Sequence, residues 1–211
     1  MNLRSFDIDK TINWKKIKLT PLYSASEPYK LFKCTTLDNN LPLFKTGEVI
    51  VRTTKVSNDS NENHWNMKIQ MNNTRDVTGI QKIEGCMISL VEKYSEFLFG
   101  VSFNYTESEN IFMRSDNVRM LTLFCETDNV LNATPNFSVY EPNKTVISSD
   151  RIVEDVVCVC AISPWILQVY PKMRRISIIW TIYQCMILQE PVSTDCILDA
   201  DYEDDEEQKQ V

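Results

Sequence analysis

The chain has 211 residues, 43% of them hydrophobic, and a formal net charge of −7. A chain of this length buries roughly two-thirds to three-quarters of its unfolded surface, so a core needs neither disulfide nor metal staples. Only four glycines occur, and none builds a Gly-x-Gly-x-x-Gly, a Walker-type loop or a Gly-x-Ser-x-Gly elbow, which argues against nucleotide-dependent catalysis.

The first residues carry no apolar core, and no apolar run approaches the roughly 20 residues that span a bilayer, so neither secretion nor a membrane partner is expected. Seven cysteines, none spaced Cys-x-x-Cys, accompany a single histidine, His64. Zinc requires about four converging ligands, so no metal and no cofactor are expected, and the thiols read as buried and free in a reducing compartment. His64 falls on the polar face of a strand, where a solvated histidine is the common case. No motif supports a Cys–His nucleophile, and no enzymatic role is expected.

In chain order, the first 55 residues are basic, with ten bases against five acids. Strands are expected over 29–37, 48–56 and 64–71, with the polar segment 57–63 as the tip of a hairpin. Trp65, Met67, Ile69 and Met71 alternate onto one buried face. A helix follows over about 79–99, because Ile80, Ile83, Met87, Val91, Tyr94 and Leu98 recur at spacings of three and four, and Gly100 caps it. This stripe is read as a packing face, with Met87 and Val91 in the core.

Residues 104–110 and 128–136 read as surface loops, and further strands are expected over 118–125, 137–140, 156–162, 166–170 and 176–188. Within 156–162, Cys158 and Cys160 face the same way. The order suits a mainly β fold, an OB-type β-barrel with insertions and one amphipathic helix, with an irregular β-sandwich as the alternative. No linker divides the body, so residues 1–194 form one domain and 195–211 a disordered acidic tail.

The tail holds eight acids and one base, and therefore the whole net −7, leaving 21 acids and 21 bases in the body. The acidic total is thus no argument against a polyanionic partner. In the body, bases interleave with aromatics: Trp14-Lys15-Lys16-Ile17-Lys18, Tyr29-Lys30-Leu31-Phe32-Lys33, Phe44-Lys45, and Trp165 through Tyr170 to Lys172, Arg174 and Arg175. Single-stranded nucleic acid offers unstacked bases and a charged backbone together, and such pairs bind both. Trp14, Tyr29 and Trp165 are the stacking candidates. Lys15, Lys16, Lys18, Lys30, Lys33, Lys45, Arg52, Lys55, Lys172, Arg174 and Arg175 are the candidate phosphate contacts. For any single aromatic a core role is commoner, and Phe32 suits it equally.

Several features together resemble the single-stranded DNA-binding proteins of nucleocytoplasmic large DNA viruses. They are Phe6-Asp7, Trp14-Lys15-Lys16-Ile17, the Leu41-Pro42-Leu43 turn, the Trp65 strand, the Phe97-Leu98-Phe99-Gly100 helix end, the late Pro164-Trp165-Ile166 and Ile179-Trp180-Thr181 strands with Tyr183-Gln184, and the acidic tail. The resemblance implies an OB-fold that coats single-stranded DNA during viral replication, repair or recombination, inside the host cytoplasm or nucleus. It also implies a tail that shields the groove and recruits replication proteins, and it is compatible with a homo-oligomer. In related viral and phage proteins the tail often ends in an aromatic residue. This chain ends Gln210-Val211, with Tyr202 the tail's only aromatic, and has Pro171-Lys172-Met173-Arg174-Arg175 where a glycine-rich turn is expected. The competing reading is a viral structural or assembly protein working through protein–protein contacts.

Overall fold

The computed structural model describes residues 5–7, 17–22, 28–36, 42–59, 62–114, 117–126 and 136–191. Strands β1 (Ser5–Asp7), β2 (Ile17–Leu22), β3 (Lys30–Thr36), β4 (Leu43–Lys45), β5 (Val49–Asp59) and β6 (Glu62–Met71) precede helices α1 (Thr74–Phe99) and α2 (Tyr105–Asn110). Strands β7 (Met120–Glu126), β8 (Ser138–Tyr140), β9 (Val146–Ile147), β10 (Val157–Tyr170) and β11 (Arg175–Gln189) follow.

Pairings run from β10 to β5, β6, β7 and β11, and β11 returns to β10. The β5–β6, β6–β7 and β10–β11 ladders are long, whereas the β10–β5 and β7–β11 joints each rest on two residue pairs. The result is the mainly β, OB-type architecture expected, as a partial ring of strands. Its interior holds Val49, Val51, Met67, Ile69, Leu123, Cys160, Ile162 and Ile182, all at most 1% exposed. The alternation read over Trp65 to Met71 places all four apolar side chains inside.

Helix α1 closes over this core with Ile80, Ile83, Met87, Val91 and Leu98 buried. It begins at Thr74, six residues before the first residue of the apolar stripe, because Asn73 caps it: the Asn73 Oδ1 accepts the Asp76 backbone N–H at 2.7 Å. Gly100 ends it in the left-handed region (φ 75°), its N–H donating to Glu96 O at 2.8 Å.

Two expectations are corrected and one is refined. Residues 104–110 are not a loop: Asn104 and Glu107 form a reciprocal capping box that nucleates α2. The chain does reverse within the polar segment 57–63, but β5 and β6 reach into it, staying paired out to Asp59 and Glu62. The break between 162 and 166 is absent, because β10 runs through Ser163-Pro164-Trp165 with a register shift against β11. A bulge is where a strand tolerates proline.

The bulge reverses the alternation along β10. Cys158, Cys160 and Ile162 face inward before it, and Leu167 and Val169 after it. A second register shift, at Ala161/Ile162 opposite Tyr183, does the same for β11. The outer halves of β10 and β11 thereby extend beyond the ring as a wing, onto which β3 and then β2 are added in antiparallel register. Pro21 sits in β2, which pairs with β3 alone among the described residues, and such an outer strand is where proline is tolerated. Six free cysteines occur among the described residues: Cys86 is half-buried, while Cys34, Cys125, Cys158, Cys160 and Cys185 are buried. No described helix is long and apolar enough to cross a membrane.

Candidate nucleic-acid interface

Residues directly opposite in adjacent strands share a face of the sheet. In the wing, register pairs Thr20 with Lys33, Lys33 with Ile166, Leu31 with Gln168, Ile166 with Ile179, Gln168 with Ser177, and Tyr170 with Arg175. One face therefore carries Lys18, Thr20, Leu31, Lys33, Ile166, Gln168, Tyr170, Arg175, Ser177 and Ile179, all half-buried or exposed. The reverse face carries Ile17, Phe32, Cys34, Leu167, Val169 and Ile176, all buried. Phe32 is thus core, its ring edge-on to Phe97 at 5.6 Å.

Neither β2, β3, β10 nor β11 contains Asp or Glu, although the chain has 29. An acid-free sheet face bearing Lys18, Lys33 and Arg175 has a positive potential undiluted by its own strands. At its end, Tyr29 meets Tyr170 edge to face, with centroids 5.6 Å apart and planes at 64°. Burial raises the Tyr170 phenol above its ordinary value, so the ring stays neutral at physiological pH. The exposed turn bases Lys172 and Arg174 follow Tyr170 closely, whereas Lys30, opposite Val169, is exposed on the reverse face. Arg174 takes the left-handed φ of 48° that a glycine would otherwise supply in this turn. Arg175 is braced by a hydrogen bond from its Nη1 to Asn110 O at 3.1 Å. In mid-face, Ser177 Oγ donates to Gln168 Oε1 at 3.2 Å.

The structure thus brings together Lys18, Tyr29, Lys33, Lys172, Arg174 and Arg175 of the residues singled out by sequence, with Lys30 on the reverse face of the same strands. Three further residues lie elsewhere or differ in setting. Lys45 is exposed on the ring half of β10, opposite Ala161. Arg52 is committed to structure, with its Nη1 2.5 Å from Asp155 Oδ1 and its Nε donating to Gln70 Oε1 at 2.7 Å. Lys55 pairs through its backbone with Asn66, and its side chain lies outside the described set, as does that of Trp165. Trp14, Lys15, Lys16 and the tail also lie outside the described residues.

Sequence reading by aromatic–base pairs names Tyr29 but passes over Gln168, Ile166 and Ile179, which carry no charge and look like core. A signal was present: residues 156–189 hold no acid at all, in a chain otherwise rich in them.

No protein-family model and no curated protein matches the chain. Among solved structures it is similar to gp2.5, a single-stranded DNA-binding protein encoded by bacteriophage T7, with a TM-score of 0.53 and 11% identity over 82% of this chain and 100% of that one. A single-stranded DNA-binding protein from bacteriophage Enc34, in complex with ssDNA, aligns at a TM-score of 0.48 and 12% identity over 82% of this chain and 97% of that one. At such low identity the similarity to the T7 protein is one of fold, and the chain has the fold of that phage protein.

Proposed function

We propose that the chain is a non-enzymatic single-stranded DNA-binding protein that lays the strand across the outer face of the β2–β3–β10–β11 wing. The observation that carries this reading is the acid-free face ending in the Tyr29–Tyr170 pair near Lys172, Arg174 and Arg175. Half-buried aliphatic side chains between the bases supply surface against which nucleobases pack, the tyrosine pair offers rings on which a stacked base contributes about 1–3 kcal/mol, and the cations follow the backbone. The fold shared with the T7 protein supports the same reading. The finer role is the coating of DNA during replication, repair or recombination of a large DNA virus within its host cell. The acidic residues 195–211 compete for the face and recruit replication proteins through their charge.

The test is binding of labelled oligothymidine to the full chain and to a chain lacking residues 195–211. Expected are affinities that fall steeply with salt and tighter binding without the tail. If neither chain binds at about 50 mM salt, the reading fails.

A further inference from the structure

Away from the wing face, the two longest strands bring three thiols to one point. Cys158 and Cys160 are two residues apart in β10 and face the same way, and Cys160 lies directly opposite Cys185 of β11. The Cys158 and Cys160 sulfurs are 3.7 Å apart, and all three Sγ atoms lie within 4.8 Å of one another. Each residue is at most 1% exposed.

From this convergence we propose that Cys158, Cys160 and Cys185 form a three-coordinate site for a soft, thiophilic d10 metal ion of the monovalent copper class. A metal–sulfur bond of about 2.3 Å places three sulfurs around a central ion about 4 Å apart, close to the spacing these strands already impose. A disulfide would use only two of the sulfurs. Among the described residues no His, Asp or Glu joins the group, and burial denies water entry, so the tetrahedral set zinc prefers is incomplete. Soft thiolates without a fourth ligand suit the monovalent ion instead.

Charge points the same way. Entry of a monovalent ion among three neutral thiols with release of two protons leaves a net charge of only minus one, with one sulfur still protonated. The buried position means that the ion enters as the chain folds and ties β10 to β11 where the ring meets the wing. This reverses the expectation of no metal, which rested on the lone histidine and the missing Cys-x-x-Cys rather than on strand register.

The experiment uses the full chain carrying C86S and C196S, refolded anaerobically with cuprous ion and then desalted. Expected is one copper per chain with thiolate-to-copper absorption in the near ultraviolet, and X-ray absorption showing only sulfur neighbours. Copper should fall at least tenfold in C185A, with C34A, which removes a buried thiol outside the group, retaining it. Circular dichroism of each variant separates loss of the site from loss of the fold, and should C185A not fold, C158S takes its place. Absence of copper from the refolded parent overturns the proposal, as does copper retained by a folded C185A or C158S.

Discussion

Tyr29 stands edge-on to Tyr170 across the β3–β10 ladder, so that each ring holds the other upright at the basic end of the wing. Under the proposed function, Y170A removes a stacking surface and the support of Tyr29 together. Affinity for oligothymidine should fall by about 1–3 kcal/mol, roughly 5- to 150-fold. Y170F keeps the ring and should bind within about twofold of the parent. Equal losses in the two variants, measured by fluorescence anisotropy, would assign the effect to the hydroxyl instead.

Arg52 and the turn bases should separate in a salt titration. The Arg52 guanidinium is held by Asp155 and Gln70, whereas Lys172 and Arg174 stand exposed beside the tyrosine pair. K172A and R174A should each lower the slope of log K against log salt by about 0.7, the increment for one phosphate contact on a single strand. R52A should leave the slope unchanged and cost at most about 1 kcal/mol of stability, as expected of an exposed ion pair. A lowered slope in R52A would bring β5 into the interface.

Gly47 and Asp76 form the joint between the β4–β5 connection and the start of α1. The Gly47 N–H donates to Asp76 Oδ2 at 2.8 Å, and a Cβ on Gly47 would lie 2.6 Å from Asn73 Nδ2. G47A should therefore displace the cap and destabilise the fold by about 1–3 kcal/mol. D76A should cost a similar amount by stranding the Gly47 N–H and the Asn73 amide. Urea midpoints within error of the parent would show that the joint carries no stability.

Glu84 lines a cavity of about 210 Å³ with Met71, Ile80, Val118 and Arg114. Burial raises its carboxyl above the ordinary value, with Arg114 at 3.7 Å opposing the shift. A carboxyl raised in the fold binds its proton more tightly folded than unfolded. Its contribution to stability is therefore complete below the ordinary carboxylate range and is lost as pH rises through the folded value. E84Q should remove this component, so that stability falls less between acid and neutral pH than in the parent. Parallel pH profiles of urea stability for the two proteins would contradict this.

Much of the fold could be read from residue pattern, because alternation over Trp65 to Met71 and the three–four spacing from Ile80 to Leu98 report burial directly. The short strands β1, β4 and β9 escaped, since two or three residues carry no period. Strand β2 escaped because Pro21 reads as a breaker when its position at the wing's outer strand is unknown. Helix α2 could have been found from Asn104 and Glu107, had the capping box been weighed against the polar composition. The interface was legible in its charges but not in its extent. Which of Ile166, Leu167, Gln168 and Val169 face outward depends on a bulge that composition does not reveal.

That bulge means that the facing of the wing depends on how one surplus residue is accommodated. Straightening β10 at its present length would turn its outer half over: Leu167 and Val169 would meet water, while Gln168 and Tyr170 would be pressed into the core. Deleting one residue from Ser163-Pro164-Trp165 would instead remove the surplus and restore simple alternation with Leu167 and Val169 still inside. The working surface is thus defined by a single surplus residue held in a bulge, and a one-residue deletion in this segment should leave the same side chains facing outward.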